Sequence, residues 1–287
     1  MAGVAVVTDS TASLGREQAE GAGIRIVPLQ VVIDNVSRPE APDGATPAMV
    51  AAALRDGRRV TTSRPSPEVF EATYADLVTQ GFSAIVSVHL SRVMSGTYEA
   101  ATIAAAAASV PVTVIDSQTL AMATGFAALA GAEAATAGQP AEQVAAVIRK
   151  QAATGVTYFC VDKLDYLRRG GRIGAAAALI GSALAVKPLL TVADGVIKPY
   201  ERVRTASKAR ARLEELGLAA LLRAAGHTAR VDVAVHHLDQ LGGAEALAQR
   251  LRDRVPSAGQ ITVAELSAVL GVHVGPGTLG IVVSPRT

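Results

Sequence analysis

Short runs of β-branched residues recur along the chain, separated by stretches with helical spacing. Val4–Val7 is the first such run and ends at Thr8-Asp9-Ser10. Ile24–Val27 and Val31–Ile33 flank Pro28, which predicts an edge strand or two short strands. Ala84–Val88 leads into His89-Leu90-Ser91, and Val112–Ile115 leads into Asp116-Ser117. Between them the pattern predicts helices over Pro47–Arg55, Ser66–Gln80, Ser95–Ala108 and Gln118–Ala137. Thr46-Pro47 and Ser66-Pro67 both read as an N-cap followed by proline at the first helical position. Strands alternating with helices imply βαβ units and a parallel sheet.

The second half has a different rhythm. Helices are expected over Pro140–Ala153, Leu164–Arg169, Ser207–Leu222 and Gly243–Arg254, and an apolar, Ala-rich one over Gly174–Val186. Strands are expected over Val156–Val161, Val231–Val235, Ile261–Leu266 and Leu279–Val283. Strand pieces at Leu189–Val192, Val196–Pro199 and Glu201–Val203 surround Ala193-Asp194-Gly195, a hairpin signal. The hairpin makes this half mixed rather than purely parallel. The chain therefore reads as an α/β protein of two domains, residues 1–153 and 154–287. The first carries a Rossmann-like parallel sheet and the second is mixed α/β.

Composition narrows the possibilities. Half of the 287 residues are apolar but only 3% are aromatic, and Trp is absent. Charged residues make up 18%, too few for a disordered chain of this hydrophobicity. Lys and Arg number 27 against 25 Asp and Glu, a net charge of +2. Without a basic excess or stacking aromatics, nucleic-acid binding is disfavoured. The single cysteine, Cys160, excludes a disulfide framework and a Cys-based zinc site, and a reducing compartment fits best. The first residues lack a basic n-region and a long apolar run. Ala100–Ala132 is weakly charged but broken by Pro111 and Asp116-Ser117, so it does not read as a membrane span. A cytoplasmic protein is expected.

Small polar residues collect at the predicted strand ends, where ligands of open parallel sheets bind. Ser95-Gly96-Thr97 would set hydroxyls and free N–H groups at a helix start, either as a cap or as an anion site. Thr62 and Ser63 lie upstream of the Ser66 cap and are not used by it. His273 lies in Gly271-Val272-His273-Val274-Gly275-Pro276-Gly277, where sharp turns should leave the ring little covered. His236 and His237 alternate to opposite faces of a strand, so they should not share a metal. No metal-ligand spacing, phosphate loop or nucleophile elbow is present. A Ser95/His273/Asp116 triad can be drawn, as can many such sets. An enzyme acting on a small anionic substrate, a hydrolase or phosphotransferase, is the alternative to a binding protein.

Six motifs stand in order: Val7-Thr8-Asp9-Ser10-Thr11, Thr62-Ser63-Arg64-Pro65-Ser66, Ser91 to Tyr98, Val114-Ile115-Asp116-Ser117, Leu164 to Ile173, and Gly275-Pro276-Gly277-Thr278-Leu279-Gly280. Together they resemble the DegV family, the group that includes the fatty-acid-binding subunits (FakB) of bacterial fatty acid kinase. The resemblance runs from Val4 to Val283. It implies a two-domain DegV fold with a long-chain fatty acid at the domain interface and no other cofactor. It implies a carboxylate held by Thr62 or Ser63, by Ser95 with Gly96 and Thr97, and by His273. It implies a binding subunit, not itself a catalyst, that presents the acid to an ATP-bearing kinase partner through Arg202 and Arg204. A transient membrane contact for lipid exchange belongs to the same expectation. A fatty acid also needs a dry tunnel, and Ala177, Leu179, Ile180 and Leu184 of the predicted apolar helix are the expected wall. The chain departs from the family pattern at Arg64, where Gln is expected, and at Arg92-Val93. Both arginines could bring positive charge to the head group or lie outside it.

Overall fold

The structure, a computed structural model, describes residues 3–179, 187–228, 230–256 and 259–286. The first half carries strands β1 (Val4–Asp9), β2 (Ile24–Val27), β3 (Gln30–Ile33), β4 (Val36–Pro39), β5 (Val60–Ser63), β6 (Ala84–His89) and β7 (Val112–Asp116). Its helices are α1 (Arg16–Gly21), α2 (Pro47–Arg55), α3 (Pro67–Thr79), α4 (Thr97–Ala107), α5 (Met122–Thr136) and α6 (Ala141–Thr154). The second half adds strands β8 (Val156–Cys160), β9 (Lys187–Ala193), β10 (Val196–Val203), β11 (Val231–His237), β12 (Ile261–Glu265) and β13 (Leu279–Pro285). Its helices are α7 (Asp165–Arg169), α8 (Ala206–Ala225), α9 (Leu241–Arg254) and α10 (Ala268–Val274).

The expected parallel sheet is present, in the order β2-β1-β6-β7. The expected mixed sheet has the order β10-β9-β8-β13-β11-β12, with only β11 and β12 parallel. Pro28 does separate two short strands, but β2 and β3 join different sheets. The hairpin forms with Asp194 and Gly195 as its two-residue loop, at φ 54° and 74°. Positive φ at both central positions is what a right-twisted hairpin needs and what Asp-Gly supplies at low cost. The Glu201–Val203 piece belongs to the same strand, which is bulged between Pro199 and Glu201.

Alternation explains the layers. Ala5, Val7 and Ile85 face α3 and α4, while Val6, Val86 and Val88 face α5 and α6. The same two helices also cover Ala234 and Val282 of the mixed sheet, so they serve both sheets. The far face of the mixed sheet packs Tyr158, Val233 and Ile281 on Leu213 and Leu221 of α8 and Leu247 of α9.

A third sheet, β4-β3-β5, is not evident in the pattern. Val31 and Ile33 pack with Val50 and Leu54 of α2 against Ala268, Val269 and Val272 of α10. The first half of the chain is thereby fastened to a helix near the other end. The ladder sets Thr62 opposite Val31 on β5, an edge strand.

Two expectations change here. The helix expected over Gly174–Val186 is, over Gly174–Leu179, a 3-10 segment. Gly174 enters it at φ 52°, in the left-handed region, so the first residue cannot begin an α-helix. The remainder, with Ile180 and Leu184, lies outside the described residues. His273 is not in an open glycine turn; it occupies the last turn of α10, which ends at Gly275.

Candidate functional site

Elements from distant parts of the chain meet at one cavity of about 290 Å³. One water needs only ~10–15 Å³ of such space, so this is no packing defect. Part of its wall is polar: Thr62, Ser63 and Arg64 from β5 and the loop after it, Ser95 and Gly96 before α4, Arg172 after α7, and His273 on α10. The rest is largely apolar, with Thr157, His236 and Thr278 among it. Phe159, Gly280 and Ile197 from the mixed sheet form the floor, and Leu270 and Val274 of α10 face it, with Leu90, Leu120 and Leu266.

Thr62 Oγ1 lies 3.0 Å from His273 Nε2. Alternation along β5 turns Thr62 inward and leaves Ser63 exposed, its hydroxyl bonded to the Arg64 carbonyl. His273 Nδ1 is buried with no hydrogen-bond partner. Residue 170 is glycine because a Cβ there would overlap Nδ1. An orphaned acceptor is tolerated better than an orphaned N–H. That places the ring hydrogen on Nε2, donating to Thr62, and leaves the threonine O–H free to point into the cavity. Burial, and then the positive charge of Arg172, push the His273 pKa down to about 4. The ring is therefore uncharged at neutral pH, and the fixed positive charge at this end comes from Arg64 and Arg172.

The loop from Leu90 to Gly96 is held on several sides. Asp9 accepts from the Leu90 N–H at 3.1 Å, Ser91 donates to the Gly195 carbonyl at 2.7 Å, Arg64 to the Gly96 carbonyl at 3.2 Å, and Arg172 to the Met94 carbonyl at 3.0 Å. Ser95 thus stands on a braced loop, its hydroxyl 2.9 Å from that of Thr97. Thr97 itself is fully buried and does not line the cavity, so it supports Ser95 rather than facing a ligand. Arg92 lies outside, 3.6 Å from Glu99 and stacked 5.3 Å from the Tyr98 ring centre.

Other expected groups are placed differently. Asp116 accepts from the N–H groups of Arg92 and Gln118 and is absent from the cavity wall, so the Ser95/His273/Asp116 triad does not form. Ala177 is exposed and Leu179 is buried in the adjoining core; neither lines the cavity, because the 3-10 segment does not present an α-helical face. Arg202 and Arg204 are exposed on and just beyond β10, an edge strand.

Some residues of note were not assigned to the site by sequence. Arg172 follows Gly170-Gly171, whose turn carries its guanidinium back over Gly170, where it also bonds the carbonyl. His236 lines the cavity, with Nε2 accepting from the Met122 N–H at 3.2 Å and Nδ1 donating to the Ala264 carbonyl at 3.1 Å. Burial lowers its pKa to about 4. Asp9, His89, Ser87 and Tyr74 form a hydrogen-bonded chain, with steps of 3.0, 2.7 and 3.0 Å. It has the order of a hydrolytic triad, but its members are sealed in the core and Tyr74 already donates to Ser87. Its effect is to fix the Asp9 carboxylate under the Leu90 N–H and so brace the loop that carries Ser95. Glu40 accepts from the Ala268 N–H at the start of α10. Among the described residues, no group of three His, Cys, Asp or Glu is placed to hold a metal, and no helix is long and apolar enough to cross a membrane.

Residues 3–286 match the family model described as uncharacterised protein, DegV family. The chain belongs to the DegV family. A DegV domain-containing protein of Streptomyces coelicolor, SCO2569, is 54% identical over 283 residues, 99% of each chain. This DegV chain also superposes on a DegV family protein from Thermus thermophilus described for its fatty acid binding. The TM-score there is 0.90, with 31% identity over 99% of each chain. DegV of Bacillus subtilis, described as a fatty acid binding protein, gives a TM-score of 0.89 and 32% identity over the whole of both chains.

Proposed function

We propose that this chain binds a long-chain fatty acid in the cavity, with the carboxylate at Thr62, Ser95 and His273. The observation that carries this reading is the Thr62–His273 pair at the cationic end of a largely apolar cavity. A buried carboxylate must find charge-assisted hydrogen bonds or take up a proton. Thr62 and Ser95 offer hydroxyls, and Arg64 and Arg172 offer charge. Each methylene drawn into the cavity contributes about 0.8 kcal/mol, less the cost of ordering the chain.

In this reading the cavity is the interface of domains 1–153 and 154–287, and the protein is a cytoplasmic carrier rather than a catalyst. It presents the carboxylate to an ATP-bearing kinase, meeting it through Arg202 and Arg204, and exchanges lipid in transient contact with a membrane. In the kinase a carboxylate oxygen attacks the γ-phosphorus of ATP, ADP leaves, and an acyl phosphate forms. The test is mass spectrometry of a denaturing extract of protein purified from a bacterial host. A stoichiometric long-chain acid is expected; lipid-free protein that fails to take up added palmitate overturns the reading.

A further inference from the structure

A second cleft, of about 360 Å³, lies on the other side of the Thr62–His273 pair. Thr62 and Arg172 belong to the walls of both spaces. The cleft is walled by β5 and the residues before it on one side, and by α7 and the Gly170 turn on the other. Its charge is one-sided. Arg58, Arg59, Arg169 and Arg172 line it, and no acidic residue does so among the described residues.

The nearest compensation is Asp34, and it is already engaged. Its carboxylate accepts from Arg58 Nε at 2.6 Å and from the Arg59 backbone N–H at 3.3 Å. Arg169 stacks 5.0 Å from the Tyr166 ring centre, and among the described residues Arg172 bonds only backbone carbonyls. The guanidiniums of Arg59, Arg169 and Arg172 therefore have no carboxylate partner among the described residues. Like charges held around one concavity repel one another and concentrate anions. Guanidinium forks, which stay protonated, match the oxygens of a phosphoryl group. Thr61 and Thr62 of β5 both belong to the cleft lining.

We infer that this cleft binds a phosphoryl group, held chiefly by Arg59 and Arg169, beside the carboxylate end of the acyl cavity. The inference rests on the fatty-acid reading for its source. Because Thr62 and Arg172 wall both spaces, a phosphoryl group joined to a carboxyl bound there would lie beside the cleft, which makes the acyl phosphate the ligand suited to occupy both. Phosphate from solution has the same chemistry and is the other source.

The test compares three probes on the full chain and on the double variant Arg59→Ala/Arg169→Ala. They are palmitate, a long-chain β-ketophosphonate in which a methylene replaces the bridging oxygen of the acyl phosphate, and inorganic pyrophosphate at low ionic strength. Displacement of a fluorescent fatty acid reads the first two, and calorimetry reads the third. Both arginines are exposed, so the variant should melt with the wild type; the single Arg59→Gln repeats the comparison if it does not. The expected result is a tenfold or greater loss for the β-ketophosphonate with palmitate unchanged within twofold. Pyrophosphate binding that alone depends on the arginines keeps the phosphoryl site and assigns it to phosphate from solution. Equal losses for palmitate and β-ketophosphonate, or no loss for any probe, overturn the inference. Wild-type protein that takes no palmitate fails the fatty-acid reading instead, and pyrophosphate then decides the cleft by itself.

Discussion

Thr62 and His273 touch across 211 residues of chain, at 3.0 Å. The small sheet makes this possible by packing β3 and α2 on α10, so that an edge strand from the first half lies along a helix from the second. Loss of either side chain should weaken acid binding without unfolding the protein. A hydrogen bond to a charged group contributes about 1.5–3 kcal/mol; Thr62→Ala removes that donor and His273→Ala removes the Nε2–H that orients it, so each should lower palmitate affinity about tenfold or more. Competitive displacement of a fluorescent fatty acid measures this, and unchanged affinity in both would remove the head-group assignment.

Gly170 should be as sensitive as the ligand-facing residues, although it offers no side chain. A Cβ there overlaps His273 Nδ1, so Gly170→Ala must displace the ring. Palmitate affinity should fall about as far as in His273→Ala, with the double variant no worse than either single one. Additive losses would mean that Gly170 acts elsewhere.

Stability should respond to pH in two opposed ways. His236 and His273 have pKa values depressed from 6.5 to about 4. The unfolded chain binds their protons first, so the stability they contribute is full above pH 6.5 and is lost as pH falls toward 4. Glu40 is raised from 4.5 to about 7, chiefly by burial. Its contribution is full below pH 4.5 and is lost as pH rises through 7. Glu40→Gln removes this second dependence and keeps an oxygen for the Ala268 N–H. Urea unfolding at pH 5 and pH 8 should show the variant gaining on the wild type at the higher pH. An equal difference at both values would contradict this.

Arg202 and Arg204 lie away from the acyl cavity wall. Arg204→Ala should retain palmitate at wild-type affinity while slowing acyl phosphate formation when a fatty acid kinase and ATP are supplied. Weakened palmitate binding would place Arg204 at the pocket instead.

The main sheets were legible because their strands are long and β-branched and their helices well spaced. Asp194-Gly195 announced its hairpin. The third sheet was not legible: Val31–Ile33 reads as a strand, but β4 and β5, of four residues each, carry no apolar run that marks them as its partners, and α10 stands far from them in sequence. Asp34-Asn35, both at positive φ, was the signal for the β3–β4 turn. Among the site residues, Thr62, Ser95 and His273 could be singled out from hydroxyls at strand ends and from a lone histidine. Choosing Thr62 over Ser63 required the orientation of β5. Arg172, His236 and Glu40 meet the cavity or its supports only through tertiary contacts, which no local spacing encodes. The Ala-rich segment after Gly174 looked helical by propensity, yet its first residue adopts a left-handed conformation.

The most direct test of the central claim is carbon-13 NMR of palmitate labelled at its carboxyl carbon, bound to the full chain. A single bound carboxyl resonance is predicted, distinct from free and micellar palmitate, and it should shift in both Thr62→Ala and His273→Ala. A bound resonance that neither substitution moves would place the carboxylate elsewhere and contradict the account.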